Sequence, residues 1–487
     1  MKEILPFRLQ NKNIYLFANK LDFKYVMLSH PLLAKHLFVN ENATDSSNDE
    51  DIYYQQKADY LKSKLPEKDH LYSGRIQPEQ VEEAFLNLNQ IVFEVTDDCN
   101  LNCTYCGYGD LYGNYDKRES KFMNAEDIAP LFSYLDDLQK KRRSNSIGNT
   151  IYISFYGGEP LMNMNFVKEV VSLIRNRAKD EHHYVFSMTT NAILLHRYMD
   201  YLAEHNFRLL ISLDGNEKNN SYRITKSGKN SFDTIAKNID LLRSKYPEYF
   251  QEFVNFNAVL HNNNSMEEIY NHIQTHYDKM PRIAELNSTG ILPEKKDEFE
   301  KMYRNKKESL YESENYTKLE HELFTLAPSY YNATNFLHTY NLGVVRTYND
   351  FFDNNKQLHF IPTGTCMPFS KKIFITVNGK ILPCERIGHQ HTLGQLSKAG
   401  VEIDFEKAAS KVNAYYDRLD KQCSKCYQLG ACSQCIFIVD DIVDGEKPVC
   451  YGFMNKNTFA GFLAANISFF ESHPLDYYRI MEEVVLK

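Results

Sequence analysis

The chain has 487 residues, 43% hydrophobic and 25% charged, an ordinary globular balance with room for two to four domains and a large core. Its formal net charge of -8 leaves no basic excess to neutralise phosphates, which argues against nucleic acid as a partner. No apolar run nears the roughly 18–20 residues of a membrane helix, and the first residues lack the apolar core of a signal peptide, so no membrane is expected and the setting is cytoplasmic.

In chain order, residues 1–85 read as a small separate module. "NIYLFA" and "YVMLSH" suggest two short strands, and "PLLAKHLF" a helix opened by Pro31. The acidic stretch "NENATDSSNDED" reads as a loop, and "IYYQQKADYLKSKL" and "QPEQVEEAFLNL" as helices. Strands and helices of this size suggest a winged-helix-like unit. Over 86–285, buried-strand runs alternate with helical stretches. The strands are "QIVFEVT", "IYISFYGG", "YVFSMTTN", "RLLISLDG", "FVNFNAVLHN" and "RIAELNS". Six such units predict an α/β fold with a parallel sheet, a partial (βα)6 barrel whose site lies at the C-terminal strand ends. Residues 286–365 read as a charged, tyrosine-rich helical connector. Residues 366–455 form a cysteine-rich domain, and 456–487 a helical tail.

The ten cysteines are bunched in a way that scattered core cysteines are not. Cys99, Cys103 and Cys106 fall within "CNLNCTYC", on the loop leaving the first strand of the repeating region. In a reducing compartment, bunching of this kind points to metal rather than disulfides. Three thiolates can hold three irons of a cubane [4Fe–4S] cluster and leave the fourth iron open. A zinc knuckle with a distant fourth ligand is the alternative. One strand later comes "YGGEP", in which Gly157 and Gly158 permit close backbone approach and Glu159 offers an acceptor. The second bunch is Cys366, Cys384, Cys423, Cys426, Cys432, Cys435 and Cys450. Cys423 to Cys435 alone would make a four-thiolate zinc site, but zinc would leave Cys366, Cys384 and Cys450 without work. His389 and His391, near Cys384, are expected at the solvated surface and not as ligands.

The C-x3-C-x-aromatic-C pattern, with Tyr105 as the aromatic residue, resembles the signature of the radical S-adenosylmethionine (SAM) enzymes. That resemblance implies a cluster whose open iron chelates SAM, and an electron that splits SAM into methionine and a 5′-deoxyadenosyl radical. It also implies that Gly157, Gly158 and Glu159 receive the SAM amino group. In "ISLDGNEKNNSYR", Ser212 and Asp214 would lie near the ribose and Arg223 would face the carboxylate, although Asn220-Ser221 stands where the family usually has His-Asp. Asn191 would reach the ribose or serve as a helix cap.

The later cysteines resemble the SPASM domain, which holds two auxiliary [4Fe–4S] clusters and brings the implied total to three. Cys423, Cys426, Cys432 and Cys450 would then ligate the outer cluster. Cys366, Cys384 and Cys435 would ligate the inner one, leaving an iron for substrate, water or another ligand. The gap between Cys432 and Cys435 is two residues where the family usually has three.

The wording "FEVTDDCNLNCTYCGYGDLY" is similar to the peptide maturases of Bacteroidales-type anaerobes. The implied substrate is a ribosomally made precursor peptide, its leader added as a strand to residues 1–85 through "NIYLFA" or "YVMLSH". A merely stabilising extension is the alternative for that module. The implied reaction abstracts hydrogen from the peptide and closes a cross-link, a thioether first and a carbon–carbon or ether bond next. The excess electron would leave through the auxiliary clusters, and a donor such as flavodoxin or ferredoxin would supply the first one. Two further readings stay open. One is an anaerobic sulfatase-type formylglycine maturase, which would be expected to carry another inner-cluster cysteine. The other is a non-catalytic peptide-binding or zinc protein on the same fold.

Overall fold

The computed structural model describes residues 4–9, 14–19, 24–38, 49–63, 74–141, 150–177, 183–340, 361–428 and 432–484. Six strands follow one another in the middle of the chain: β4 (Gln90–Thr96), β5 (Thr150–Gly157), β6 (His183–Thr190), β7 (Arg208–Ser212), β8 (Val254–Leu260) and β9 (Arg282–Glu285). Each is parallel to the next, with a helix between every successive pair, as the alternating pattern predicted. β4 has six of its seven residues buried, the composition of a parallel strand covered on both faces. Residues from all six strands line one cavity, so the sheet curves around it.

The sheet does not end at β4. Four short strands of the cysteine-rich segment continue it: β10 (Ile373–Ile375), β11 (Lys380–Leu382), β12 (Gly394–Ser397) and β13 (Gly400–Ile403). β10 lies parallel to β4 and the other three are antiparallel, giving ten strands in the order β13-β12-β11-β10-β4-β5-β6-β7-β8-β9. The cysteine-rich segment therefore shares a backbone ladder and a core with the parallel strands.

At the N-terminus three strands, β1 (Ile4–Arg8), β2 (Ile14–Asn19) and β3 (Lys24–Ser29), form an antiparallel sheet. Two were expected. β1 reads "ILPFR", and its internal proline hides the strand pattern. The expected loop "NENATDSSNDED" lies outside the described residues apart from Asp49–Asp51, which open the helix Asp49–Ser63 and place acid at its positive end. Leu9 is buried against Phe336, Phe459 and Leu463, so the N-terminal end packs on the helices Pro328–Tyr340 and Lys456–Ser472.

Residues 74–86 belong with the main core. Arg75 bonds Asp417 and Asp420, both at 2.6 Å, on the helix Phe405–Cys423. Val81 and Phe85 are buried. Among the described residues no helix is long and apolar enough to cross a membrane.

Candidate functional site

The three-cysteine loop leaves β4 at its C-terminal end and is clasped from two sides. On one side Asn102 and Thr104 donate to the carbonyls of Ile224 (2.7 Å) and Tyr222 (3.1 Å). On the other side the glycine turn after β5 lies flush against it. Gly158 donates to Thr96 O (2.8 Å) and Glu159 to Asp98 O (3.0 Å). A Cβ on Gly158 would meet Asp98 O at 1.8 Å, and one on Gly157, whose φ is +121°, would meet Thr96 O at 2.4 Å. Both glycines line the cavity, but their lack of a side chain is first demanded by packing against the cysteine loop.

Cys99, Cys103 and Cys106 line that cavity, of about 860 Å³, with Tyr105, Asn191, Ser212 and Arg223. Burial pushes the Cys99 thiol up to about 11 and the Cys103 thiol up to about 12, and neighbouring cysteines add to both shifts. Three N–H groups already point at sulfur. Leu101 N lies 3.4 Å and Asn191 Nδ2 3.6 Å from Cys99 Sγ, and Arg118 Nη2 lies 3.1 Å from Cys106 Sγ. Grouped thiols with N–H donors fit the ligand and outer-shell chemistry of an iron–sulfur cluster. Among the described residues no three His, Cys, Asp or Glu side chains close on a single-ion position.

Glu159 stands behind the cavity wall. It is fully buried and accepts from Thr190 Oγ1 (2.7 Å), Asn191 N (2.7 Å) and Leu161 N (3.0 Å). Burial raises its carboxyl to about 7 against those bonds. Its acceptor capacity ties the ends of β5 and β6 together. Asn191 does two jobs: its Oδ1 receives Ile193 N (3.0 Å) in a cap-like turn, while its Nδ2 reaches Asn100 Oδ1 (2.7 Å) beside Cys99.

Asp214 is also fully buried. It receives the Tyr105 hydroxyl, both prongs of the Arg223 fork (3.0 and 3.1 Å) and Val259 N (2.8 Å). Burial alone would lower the Arg223 guanidinium, but Asp214 beside it wins and holds it above its ordinary value. Arg223 thus lines the cavity with its carboxylate-matching edge occupied by Asp214, and the guanidinium sits 5.5 Å from the Tyr105 ring centroid.

A loop running from Gly107 to Lys121 roofs the site. Asp97 holds its return by accepting from Glu119 N (2.9 Å) and Lys121 N (2.7 Å). Gly113 N donates to Gly290 O (2.9 Å), beyond β9. On the opposite flank Asp116 pairs with Lys380 (2.6 Å), and His389 N donates to Asn114 O (2.8 Å). His389 and His391 are buried, contrary to the expectation from sequence. His389 packs under this roof against Tyr115 and Phe374, and His391 against Tyr415 and Phe437. Sequence reasoning also missed Arg118, Tyr108, Lys372 and Glu385, which line the cavity and come from that loop and from the cysteine-rich segment.

Among the later cysteines, Cys423 and Cys426 are buried, Cys366 is exposed, and Cys384, Cys432, Cys435 and Cys450 are half-buried. Burial pushes the Cys423 thiol up to about 12, with Cys450, Cys432 and Cys426 adding to the rise. Cys435 is raised by burial and by Cys366, and Cys384 to about 11 by burial and by Glu385. The structure thus brings four cysteines into one neighbourhood and sets Cys366 beside Cys435. Cys384 Sγ lies 3.7 Å from Glu385 Oε2, and Glu385 pairs with Lys372 (3.2 Å) at the cavity wall.

Residues 93–275 match the Radical SAM superfamily, and the chain carries a radical SAM domain. A cysteine-type anaerobic sulfatase-maturating enzyme of Clostridium novyi is 29% identical over 166 residues, 34% of this chain and 42% of the relative. The radical SAM cyclopropyl synthase TigE of Paramaledivibacter caminithermalis is 27% identical over 180 residues, 36% of this chain and 35% of the relative. The chain thus spans less than half the length of both. A second cysteine-type sulfatase-maturating enzyme, from Clostridium perfringens, is 23% identical over 72% of this chain and 89% of its own length. Among solved structures, native anSMEcpe with bound AdoMet and Cp18Cys peptide superposes with a TM-score of 0.50 at 16% identity, over 81% of this chain and 99% of that one, a likeness of fold.

Proposed function

We propose that this chain is a radical SAM enzyme that modifies a peptide. The observation that carries the reading is the convergence of Cys99, Cys103 and Cys106 on one cavity at the end of β4, within the segment that matches the superfamily. A [4Fe–4S] cluster with SAM, bound there, supplies a hydrogen-abstracting radical by one-electron cleavage of a carbon–sulfur bond. The three cysteines would hold the cluster. Gly157, Gly158, Asn191, Ser212 and Arg223 offer SAM a wall of backbone and polar groups, while Glu159 and Asp214 stiffen that wall from behind. The roof loop and the sheet shield the reacting atoms from water. Cys423, Cys426, Cys432 and Cys450, and Cys366, Cys384 and Cys435, would hold two auxiliary clusters.

The substrate we favour is a precursor peptide gripped through its leader by the N-terminal sheet, with a cross-link installed, a thioether first and a carbon–carbon or ether bond next. The sulfatase-maturase relatives support a second reading equally well, oxidation of a peptide cysteine or serine to formylglycine. The relative TigE, a radical SAM cyclopropyl synthase, keeps bond formation in view beside oxidation. Mass spectrometry of the product separates the readings, since a cross-link and a formylglycine differ in mass and in fragmentation.

The enzyme reading is tested by anaerobic reconstitution. The full chain should hold about twelve irons, and changing Cys99, Cys103 and Cys106 together to Ala should remove about four and abolish SAM cleavage. Protein that takes up zinc without sulfide, and leaves SAM intact under dithionite, overturns it.

A further inference from the structure

Arg118 lies in the roof loop, twelve residues beyond Cys106, and no motif marks it. Its guanidinium donates from Nη2 to Cys106 Sγ at 3.1 Å and stands 5.1 Å from the centroid of the Tyr108 ring. Its Nε is buried and has no hydrogen-bond partner. Among the described residues no carboxylate lies within ion-pair reach of it. The other cations near the cysteines are neutralised: Arg223 is forked to Asp214, and Lys226 pairs with Asp98 at 2.9 Å. Arg118 is therefore a cation with no ion-pair partner of its own at the cavity wall, since the nearby Asp98 is bonded to Lys226, and it is in direct contact with one of the three sulfurs.

We infer that Arg118 sets the reduction potential of the cluster held by Cys99, Cys103 and Cys106, making it easier to reduce. The inference rests on the three-cysteine reading above. Reduction adds one electron to the cluster, delivered by an external one-electron donor that is itself oxidised by one. Arg118 gives up no proton and forms no covalent bond. A cluster ligated by thiolates gains negative charge on reduction. A cation bonded to a ligand sulfur therefore stabilises the reduced form more than the oxidised one. The partly dry wall strengthens the effect, because little water screens it. The Tyr108 ring holds the guanidinium plane in place, as a flat delocalised cation allows and a lysine ammonium does not.

The test uses the full chain, reconstituted anaerobically as wild type, R118Q and R118K, without SAM or peptide. Each is titrated against potential and read by the EPR signal that disappears when Cys99, Cys103 and Cys106 are all Ala. In R118Q the midpoint should move to more negative potential. At a fixed potential the ratio of reduced to oxidised cluster should fall about tenfold, which is about 59 mV for a one-electron couple. R118K should fall between wild type and R118Q. An R118Q protein with full iron content and an unchanged midpoint overturns the inference and leaves the three-cysteine reading standing. Should R118Q fail to hold iron, R118M, neutral and of similar length, decides: a midpoint equal to wild type overturns the inference. Wild type that takes up neither iron nor sulfide removes the three-cysteine reading, and this inference with it.

Discussion

Asp214 holds four donors from three parts of the chain: Tyr105 in the cysteine loop, Arg223 beyond β7 and Val259 in β8. Removing one partner of a buried ion pair strands the other charge, at a cost of about 3–5 kcal/mol. D214N should lower unfolding stability by that amount, with Arg223 the stranded group. Y105F removes a single hydrogen bond and should cost about 2 kcal/mol. Denaturant midpoints of the metal-free chains check both, and equal losses would mean that the Arg223 fork adds nothing. The motif around Asp214 was legible because the family pattern is local in sequence. Its engagement with Arg223 was not, since a fork depends on where a loop nine residues away returns. Arg118 was invisible for the same reason: an arginine among "YDKRES" has no pattern until the fold sets it on Cys106.

Among the elements, β4 shows what short strands conceal. Its own burial run was plain in the sequence, but β10 and β11 have three residues each, too few for any period to speak. The seam they form with β4 holds Glu94, which is buried and receives Val377 N at 2.8 Å, with Oε1 lacking a well-aligned donor. Burial raises its carboxyl from 4.5 to about 7; the Val377 and Tyr108 bonds oppose the rise, and Asp97 and Asp116 add to it. The folded chain therefore binds this proton more tightly than the unfolded chain. Glu94 contributes stability that is complete below pH 4.5 and is lost as pH rises towards 7. At about 1.36 kcal/mol per pH unit, the loss is at most about 3 kcal/mol. Glu159 shifts the same way and adds its own loss in the same window. Thermal midpoints of the metal-free protein should fall between pH 5 and 7.5, and E94Q should flatten part of that slope. A slope unchanged in E94Q would place the titration elsewhere.

For the whole molecule, the order of strands and helices could be read along the chain, because each strand and each helix announces itself by its own local pattern. Docking between distant parts could not. The stretch 74–86 reads as the end of the N-terminal module, yet Arg75 and Phe85 anchor it to the main core. A truncation meant to test leader binding should therefore remove residues 1–73 and keep the rest. If the N-terminal sheet grips a leader, the truncated chain should still cleave SAM, while peptide modification collapses at low peptide concentration. Tethering works by raising the effective concentration of the core peptide, to the millimolar range for a short flexible linker. Peptide supplied at about that concentration should then restore much of the rate. The cut also uncovers Phe336, Phe459 and Leu463, so some loss of thermal stability is expected and must be separated from tethering. The peptide dependence does this, because a destabilised enzyme loses rate at every peptide concentration, whereas an untethered one loses it only at low concentration. Full modification at low peptide concentration by the truncated chain would make the N-terminal sheet a structural extension and leave leader recognition to another surface.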